Sequence, residues 1–336
     1  MNGFRRICAV ILGMVLLIAG ILKIMDPVGS GLVMEEYLKF FHMRFLLGAA
    51  KVLACAMAML ESLLGAALMA GVWRKPIALT SAVVLIFFTI LTSVLYIAKP
   101  AMDCGCFGEA VHLNHAQTFL KNLILDALWC LAFLPFRNPG APQRIKYVSF
   151  SLAAISLVMF LLYSSLSIPL RDYTDFKPGI ELEEQPLYFY DASYDYADSL
   201  ALKGRVMVIS VYDPSGIDET KTAGFMALAS EKGFTPLLLL ASSPDDPGLV
   251  NPLLLSGCWF SDRKLLLTLN RSNGGVTYLN DGQVIRKWAS RSLPDGEDLD
   301  ALMQTAPMDC LLGEQNRTRA VFQGFTLYLF AVLLLL

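Results

Sequence analysis

Five stretches of about 20 predominantly apolar residues run through the first half of the chain, at residues 7–25, 46–71, 77–98, 117–136 and 147–166. Each has the length a helix needs to cross about 30 Å of hydrocarbon. A sixth stretch, residues 320–336, reaches that length only at its lower limit. Between the fifth and sixth, residues 169–319 change character, with charges of both signs, Pro and Gly turns and short alternating strands. The pattern predicts a multi-pass α-helical membrane protein that carries one ordinary α/β globular segment.

Composition sharpens this picture. Of 336 residues, 55% are hydrophobic and 17% charged, against roughly a quarter charged in a soluble protein, and mean hydropathy is +0.54. So apolar a chain cannot stay disordered. A net charge of −2 lacks the basic surface that nucleic acid requires, so no nucleic-acid partner is expected. Arg5 and Arg6 precede the first apolar run as they would in a signal peptide. No small-residue cleavage site follows, and the chain continues directly through Lys23, Asp26 and Pro27, so the run reads as a retained helix.

Lys and Arg set the expected orientation. Arg5, Arg6, Arg74, Lys75, Arg137, Arg144 and Lys146 all fall on one side of the predicted helices. The other side carries Lys39, Arg44 and Lys99 diluted by Asp26, Glu35, Glu36, Asp103 and Glu109. The basic side is expected in the cytoplasm of a bacterium, with the N-terminus inside the inner (cytoplasmic) membrane. Residues 29–44, 99–116 and the globular segment then face the periplasm. Arg317 and Arg319 run mildly against the rule.

Within the globular segment the reading is strand 206–212, helix 219–232, strand 236–242, helix 247–257, strands 264–269, 276–280 and 283–288, and helix 297–304. The turn Asn280-Asp281-Gly282 is a strong hairpin signal. This order resembles a thioredoxin fold. A thioredoxin enzyme places Cys-x-x-Cys just after the first strand of the series, at a helix N-terminus that favours the thiolate. Here the position reads Tyr212-Asp213-Pro214-Ser215-Gly216-Ile217, and Gly274 stands where the cis-proline would be. The usual redox activity of such a domain is therefore not expected. Cys258 and Cys310 are candidates for a structural disulfide in an oxidising compartment.

Chemistry concentrates elsewhere. Of seven cysteines, Cys8, Cys55 and Cys130 lie within predicted helices, where small hydrophobic packing is the ordinary role. Cys104 and Cys106 sit in Asp103-Cys104-Gly105-Cys106-Phe107-Gly108, between the third and fourth spans. Two thiols one residue apart, with Gly105 between them for backbone freedom, are able to close a small strained disulfide of the labile, exchange-competent kind. A stable turn disulfide and two free thiols in a tight loop remain open on the same spacing. A metal site is a further alternative, since His112 and His115 follow, although two cysteines alone fall short of the four ligands zinc takes.

Ionisable residues inside the apolar stretches give a second signal, because such groups are costly in lipid and face partners or functional cavities. Lys51 lies about 8 Å and Asp126 roughly 14 Å below the expected outer boundary at the helical rise. Cys55 is one turn from Lys51 on the same face. A Lys51–Asp126 pair beneath the cysteine loop would form a polar pocket, or an ion pair that only fixes helix packing. Glu61 is too deep to join it easily.

These residues resemble a known family. Residues 20–29, with Lys23, Asp26 and Pro27, followed by Glu36-Tyr37-Leu38, resemble the first-helix exit of DoxX-like membrane proteins, and Lys51 with Glu61 and Gly65 resembles their second helix. The segment Asp103-Cys104-Gly105-Cys106-Phe107-Gly108, then Phe119, Lys121 and Asn122, resembles the MauE (methylamine utilisation) branch. The likeness covers residues 1 to 136, and an added helix with an exported thioredoxin-like domain resembles an extended Bacteroidetes-type form. The resemblance implies a four-helix membrane domain over 1–136, a fifth transmembrane helix in 137–168, a periplasmic domain over 169–318 and a sixth helix over 319–336. It also implies work on a disulfide-rich exported protein.

The resulting expectation is a membrane thiol–disulfide oxidoreductase. Cys104 and Cys106 would exchange with an exported protein client. By analogy with vitamin K epoxide reductase and the bacterial disulfide-forming oxidases, a membrane quinone would carry the electrons. The competing expectation is a non-enzymatic scaffold that docks an exported protein through its thioredoxin-like domain. A transporter is a third, resting on Lys51 and Asp126 alone.

Overall fold

In the computed structural model, which describes residues 3–100, 102, 104–111, 113–134, 144–245 and 257–335, small residues decide how the first apolar helices meet. Helix α1 (Gly3–Met25) packs along α3 (Ala50–Ala70). A Cβ on Gly65 would lie 2.5 Å from the Gly13 carbonyl oxygen and 2.8 Å from Leu17 Cα. One on Gly20 would lie 2.6 Å from the Ala58 oxygen. The helices are therefore in backbone contact, the approach that small residues permit between helices in lipid.

Two compact units are present, Met1–Ser165 with Phe325–Leu336, and Leu166–Gly324. The first holds α1, α2 (Pro27–Phe40), α3, α4 (Arg74–Ala98), strand β1 (Cys106–Glu109), α5 (His115–Phe133) and α6 (Arg144–Leu166). Its core is made by residues such as Leu17, Ile21, Ala66, Leu157 and Val332. Large apolar side chains also cover its outside, among them Leu79 at 64% and Ile155 at 62% exposure. A protein in water does not expose such a surface. Among the described residues four helices, Gly3–Met25, Arg44–Ala70, Arg74–Ala98 and Lys146–Leu166, are long and apolar enough to cross a membrane.

The structure departs from the sequence expectation at several places. Residues 27–40, read as part of an outer loop, form α2: the Asp26 carboxylate accepts the Gly29 N–H at 2.9 Å and Pro27 occupies the first turn. Asp26-Pro27 is a helix start signal in its own right. The fourth apolar stretch forms α5, which is not among the four apolar helices because His115, Gln117, Lys121, Asn122 and Asp126 dilute it. The sixth is the second half of a continuous helix, α10 (Pro307–Leu335).

The second unit is built on a five-stranded sheet of order β4-β3-β2-β5-β6, with β2 (Arg205–Val211), β3 (Thr235–Leu240), β4 (Cys258–Phe260), β5 (Gly275–Asn280) and β6 (Gln283–Trp288). β4, β3 and β2 run parallel, and β5 and β6 are antiparallel to their neighbours. Alternate residues feed two cores: Met207, Ile209 and Tyr278 enter one, and Val206, Val208 and Leu279 the other. Helices α7 (Glu219–Glu231), α8 (Arg263–Leu269) and α9 (Gly296–Gln304) complete the unit. The hairpin at Asp281-Gly282 is present, both residues having positive φ. Residues 264–269, expected as a strand, are helical because Asp262 caps the N–H groups of Lys264 and Leu265. The helix expected at 247–257 lies almost wholly outside the described residues.

Candidate functional site

The Cys-Gly-Cys loop is shaped by its glycines. Gly105 has φ +55° and Gly108 +61°, the left-handed region that side chains disfavour. A Cβ on Gly105 would meet Val33 of α2, and one on Gly108 would lie 3.3 Å from the Leu22 carbonyl at the end of α1. The loop is thus seated on α1 and α2. The Tyr37 hydroxyl of α2 donates to the Cys104 carbonyl at 2.6 Å. Burial, reinforced by the neighbouring thiols of Cys106 and Cys104 and by Glu36, pushes the Tyr37 phenol well above its ordinary value, so it stays a neutral donor.

Cys104 is buried, with 3% exposure, and its sulfur lies 3.0 Å from Nδ1 of His115. The first turn of α5 delivers that imidazole. The Asn114 side chain accepts the Gln117 N–H at 2.8 Å, and Gln117 Oε1 accepts the Asn114 N–H at 3.0 Å, a reciprocal cap that fixes where the helix starts. The other ring nitrogen, Nε2, lies 3.0 Å from the Pro100 carbonyl. A carbonyl only accepts, so the network assigns the proton to Nε2 and leaves Nδ1 to receive the thiol proton. A thiol, a ring nitrogen placed to accept its proton and a carbonyl that orients the ring thus stand in series. Cys106, half-buried, stands two residues away, and neither the Cys104–Cys106 nor the Cys258–Cys310 pair is bridged in this structure. Phe107 carries the Lys121 ammonium 5.1 Å above its ring.

Below the loop the ionic pairing differs from expectation. Glu61, 2% exposed, pairs with Lys23 rather than standing alone, at 2.6 and 2.8 Å. Lys23 lies near the end of α1 and its amine lies 5.7 Å over the Phe88 ring. The expected Lys51–Asp126 pair is absent: Lys51 is exposed where α3 packs under Gly31 of α2, and Asp126 accepts from the Thr89 hydroxyl at 2.7 Å. Cys55 is half-buried on α3. Asp126 belongs to a polar ladder between α4 and α5, in which Asn122 donates to Thr92 at 3.1 Å and Trp129 to Ser81 at 3.1 Å.

The structure therefore brings Cys104, Gly105, Cys106, Phe107 and Gly108 together with the α1 exit that carries Lys23, Asp26 and Pro27, and with Tyr37 and His115. It does not bring Lys51 to Asp126. Asp103 and His112 lie outside the described residues. Among the described residues no three His, Cys, Asp or Glu side chains are grouped to hold a metal ion. Sequence reasoning placed His115 only as a metal alternative. The Asn114-x-x-Gln117 pattern ahead of an apolar run was the signal that puts it at a helix start beside the cysteines.

Residues 1–135 match the family model described as methylamine utilisation protein MauE. No curated protein and no solved structure matches the chain. The MauE match runs from α1 through α5 and so contains both cysteines, His115, the Lys23–Glu61 pair and the α4–α5 ladder. The α/β unit lies beyond it. There, the segment after β2 that would carry a Cys-x-x-Cys is held by Asn273, whose side-chain oxygen accepts the N–H groups of Tyr212 and Asp213, each at 3.0 Å.

Proposed function

We propose that the protein is a membrane thiol–disulfide exchange protein in which Cys104 is the reacting thiol, His115 its base and Cys106 the second thiol. The 3.0 Å approach of the Cys104 sulfur to a His115 nitrogen whose tautomer Pro100 sets carries this reading. A buried thiol in a structural loop has no need of an oriented base. In the proposed cycle, a thiolate of an exported client attacks the Cys104–Cys106 disulfide and forms a mixed disulfide. The client's second thiolate then resolves it, leaving the client oxidised and the pair as two thiols. Restoring the disulfide would need a two-electron acceptor of the membrane, for which a quinone is suited: it would take two electrons and two protons and leave as quinol.

The wider reading is a bacterial cytoplasmic-membrane protein of DoxX-like and MauE kind, with six spans, a cytoplasmic N-terminus and a periplasmic α/β domain. The sheet order and the Asp281-Gly282 hairpin support a thioredoxin-like class for that domain. Its cysteine-free loop suits binding a client rather than oxidising it.

Thiol trapping in intact cells tests the proposal. The Cys104–Cys106 pair is expected to accumulate as thiols when respiratory quinone is depleted and to reoxidise when it is restored. A pair whose state ignores quinone, together with a Cys104→Ser strain of unchanged phenotype, would overturn it in favour of the non-enzymatic scaffold.

A further inference from the structure

The α/β unit turns a group of tyrosines outward at one end of its sheet. Leu187 and Phe189 are buried in one of its cores, and Tyr188 between them faces out. Tyr190 pairs with Phe260, the last residue of β4, through N–H to carbonyl bonds of 3.0 and 2.8 Å, and with Tyr196 across a tight hairpin. The Asp191 carboxylate pins that hairpin by accepting the N–H groups of Ser193 and Asp195 at 2.7 and 3.0 Å. Tyr188, Tyr194 and Tyr196 are 55%, 51% and 75% exposed. Their rings are held in pairs, Tyr190 stacked on Tyr194 at 5.5 Å and Tyr188 set at 72° to Tyr196 at 6.4 Å. The Tyr194 hydroxyl lies 2.9 Å from that of Ser243, just past the end of β3. β2, β3 and β4 are parallel, so the hairpin and residues 212–217 lie at the same end of the sheet.

Aromatic side chains are enriched where proteins bind one another. Tyrosines already held by their neighbours give up little freedom on binding. Charge selects the partner. Residues 178–202 hold six carboxylates, Glu181, Glu183, Glu184, Asp191, Asp195 and Asp198, and no Lys, Arg or His. Such a surface repels an anionic bilayer and complements a cationic protein segment. The rings work in the same direction, because a cation within about 6 Å of a tyrosine ring centroid is drawn to its face. Two rings set at 72° cannot both lie flat against one sugar, which favours a cation over a carbohydrate.

We infer that this face binds a lysine- and arginine-rich segment of another protein. Tyr188 and Tyr196 take its cationic side chains, and Asp191 and Asp195 supply the opposite charge. The inference rests on the proposed function only in taking the α/β unit as the client-binding part. It uses neither Cys104 nor His115, and its failure would leave the thiol chemistry standing.

The test uses the full-length protein in nanodiscs of uncharged phosphatidylcholine. The probe is a fluorescein-labelled peptide of Gly-Ser-Arg repeats, compared with Gly-Ser-Gln repeats and with a chitin oligosaccharide. The arginine peptide should bind saturably and weaken as salt rises. The double variant Tyr188→Ser/Tyr196→Ser should lose roughly tenfold in affinity. Asp195→Asn, which leaves both rings in place, should lose about threefold. Glu231→Gln, the same charge change at the end of α7 where β3 begins, should bind as the unaltered protein does. Unchanged affinity in both the tyrosine and the Asp195 variants would overturn the inference. Equal binding of the glutamine peptide would assign the face to uncharged partners, and preferential binding of the oligosaccharide would assign it to sugar; either would overturn it as well.

Discussion

The Cys104 sulfur and His115 Nδ1 stand 3.0 Å apart across eleven residues of sequence, with the far side of the imidazole held by the Pro100 carbonyl. That contact gives the thiol a route for its proton. Replacing His115 with Ala should slow alkylation of Cys104 at neutral pH by about tenfold or more, less than the roughly 10²–10⁴-fold of a positioned base in a catalytic step because access to the buried thiol also limits the rate. Mass-spectrometric timing of iodoacetamide labelling on the reduced protein measures it. An unchanged rate would show that the contact is packing only.

Glu61 and Lys23 answer each other inside the first unit, at 2% and 14% exposure. Removing one partner leaves an uncompensated buried charge, so Glu61→Gln or Lys23→Met should cost about 3–5 kcal/mol in unfolding of the detergent-solubilised protein. The double variant Lys23→Met/Glu61→Leu should recover much of that loss. Additive losses would refute the pairing.

How much of this was legible in the sequence depends on what each feature rests on. The apolar stretches, the Cys-Gly-Cys loop and the Asp281-Gly282 turn were visible because each is a local pattern. Glu61 was visible as an oddity, but its partner was not. That it meets Lys23 is set by how α1 and α3 rotate about their glycine contact. Residues 264–269 were misread because a short apolar run suits a strand or a buried helix equally, and Asp262 as a cap decides it. Asp26-Pro27 offered the same kind of cue for α2.

The backbone contact of α1 and α3 makes its own prediction. Gly65→Ala would place a methyl group 2.5 Å from the Gly13 oxygen, which is backbone and cannot swing aside. A loss of about 1–3 kcal/mol is expected. Gly324→Ala, with nothing within 4 Å, should be silent by the same unfolding assay.

In the α/β unit, Asp172 meets the Lys287 ammonium at 2.5 Å, and Lys287 is 6% exposed. Burial alone would raise the Asp172 carboxyl. The Lys287 charge, with hydrogen bonds from Lys287 and Thr174, outweighs it and holds the carboxyl below the usual carboxylate range. A depressed folded-state value means the stabilisation is complete above about pH 4, the unfolded value, and is lost as pH falls through the folded one. Melting of the full chain followed from pH 6 downward should therefore drop on the acid side, and Asp172→Asn should flatten that drop while lowering stability at neutral pH.

The α4–α5 ladder bears on how the chain is made. Trp129 donates to Ser81, Thr89 to Asp126 and Asn122 to Thr92, each across the two helices. On the proposed six-span topology, α5, with Lys121, Asn122 and Asp126 in it, would be too polar to leave the translocation channel for lipid by itself, whereas α4 would not. The two would enter as a preformed hairpin, so the fourth span waits on the third. A ribosome-stalled intermediate ending within α5 should still be held at the channel, and the cysteine loop would reach its final side of the membrane only once that hairpin closes.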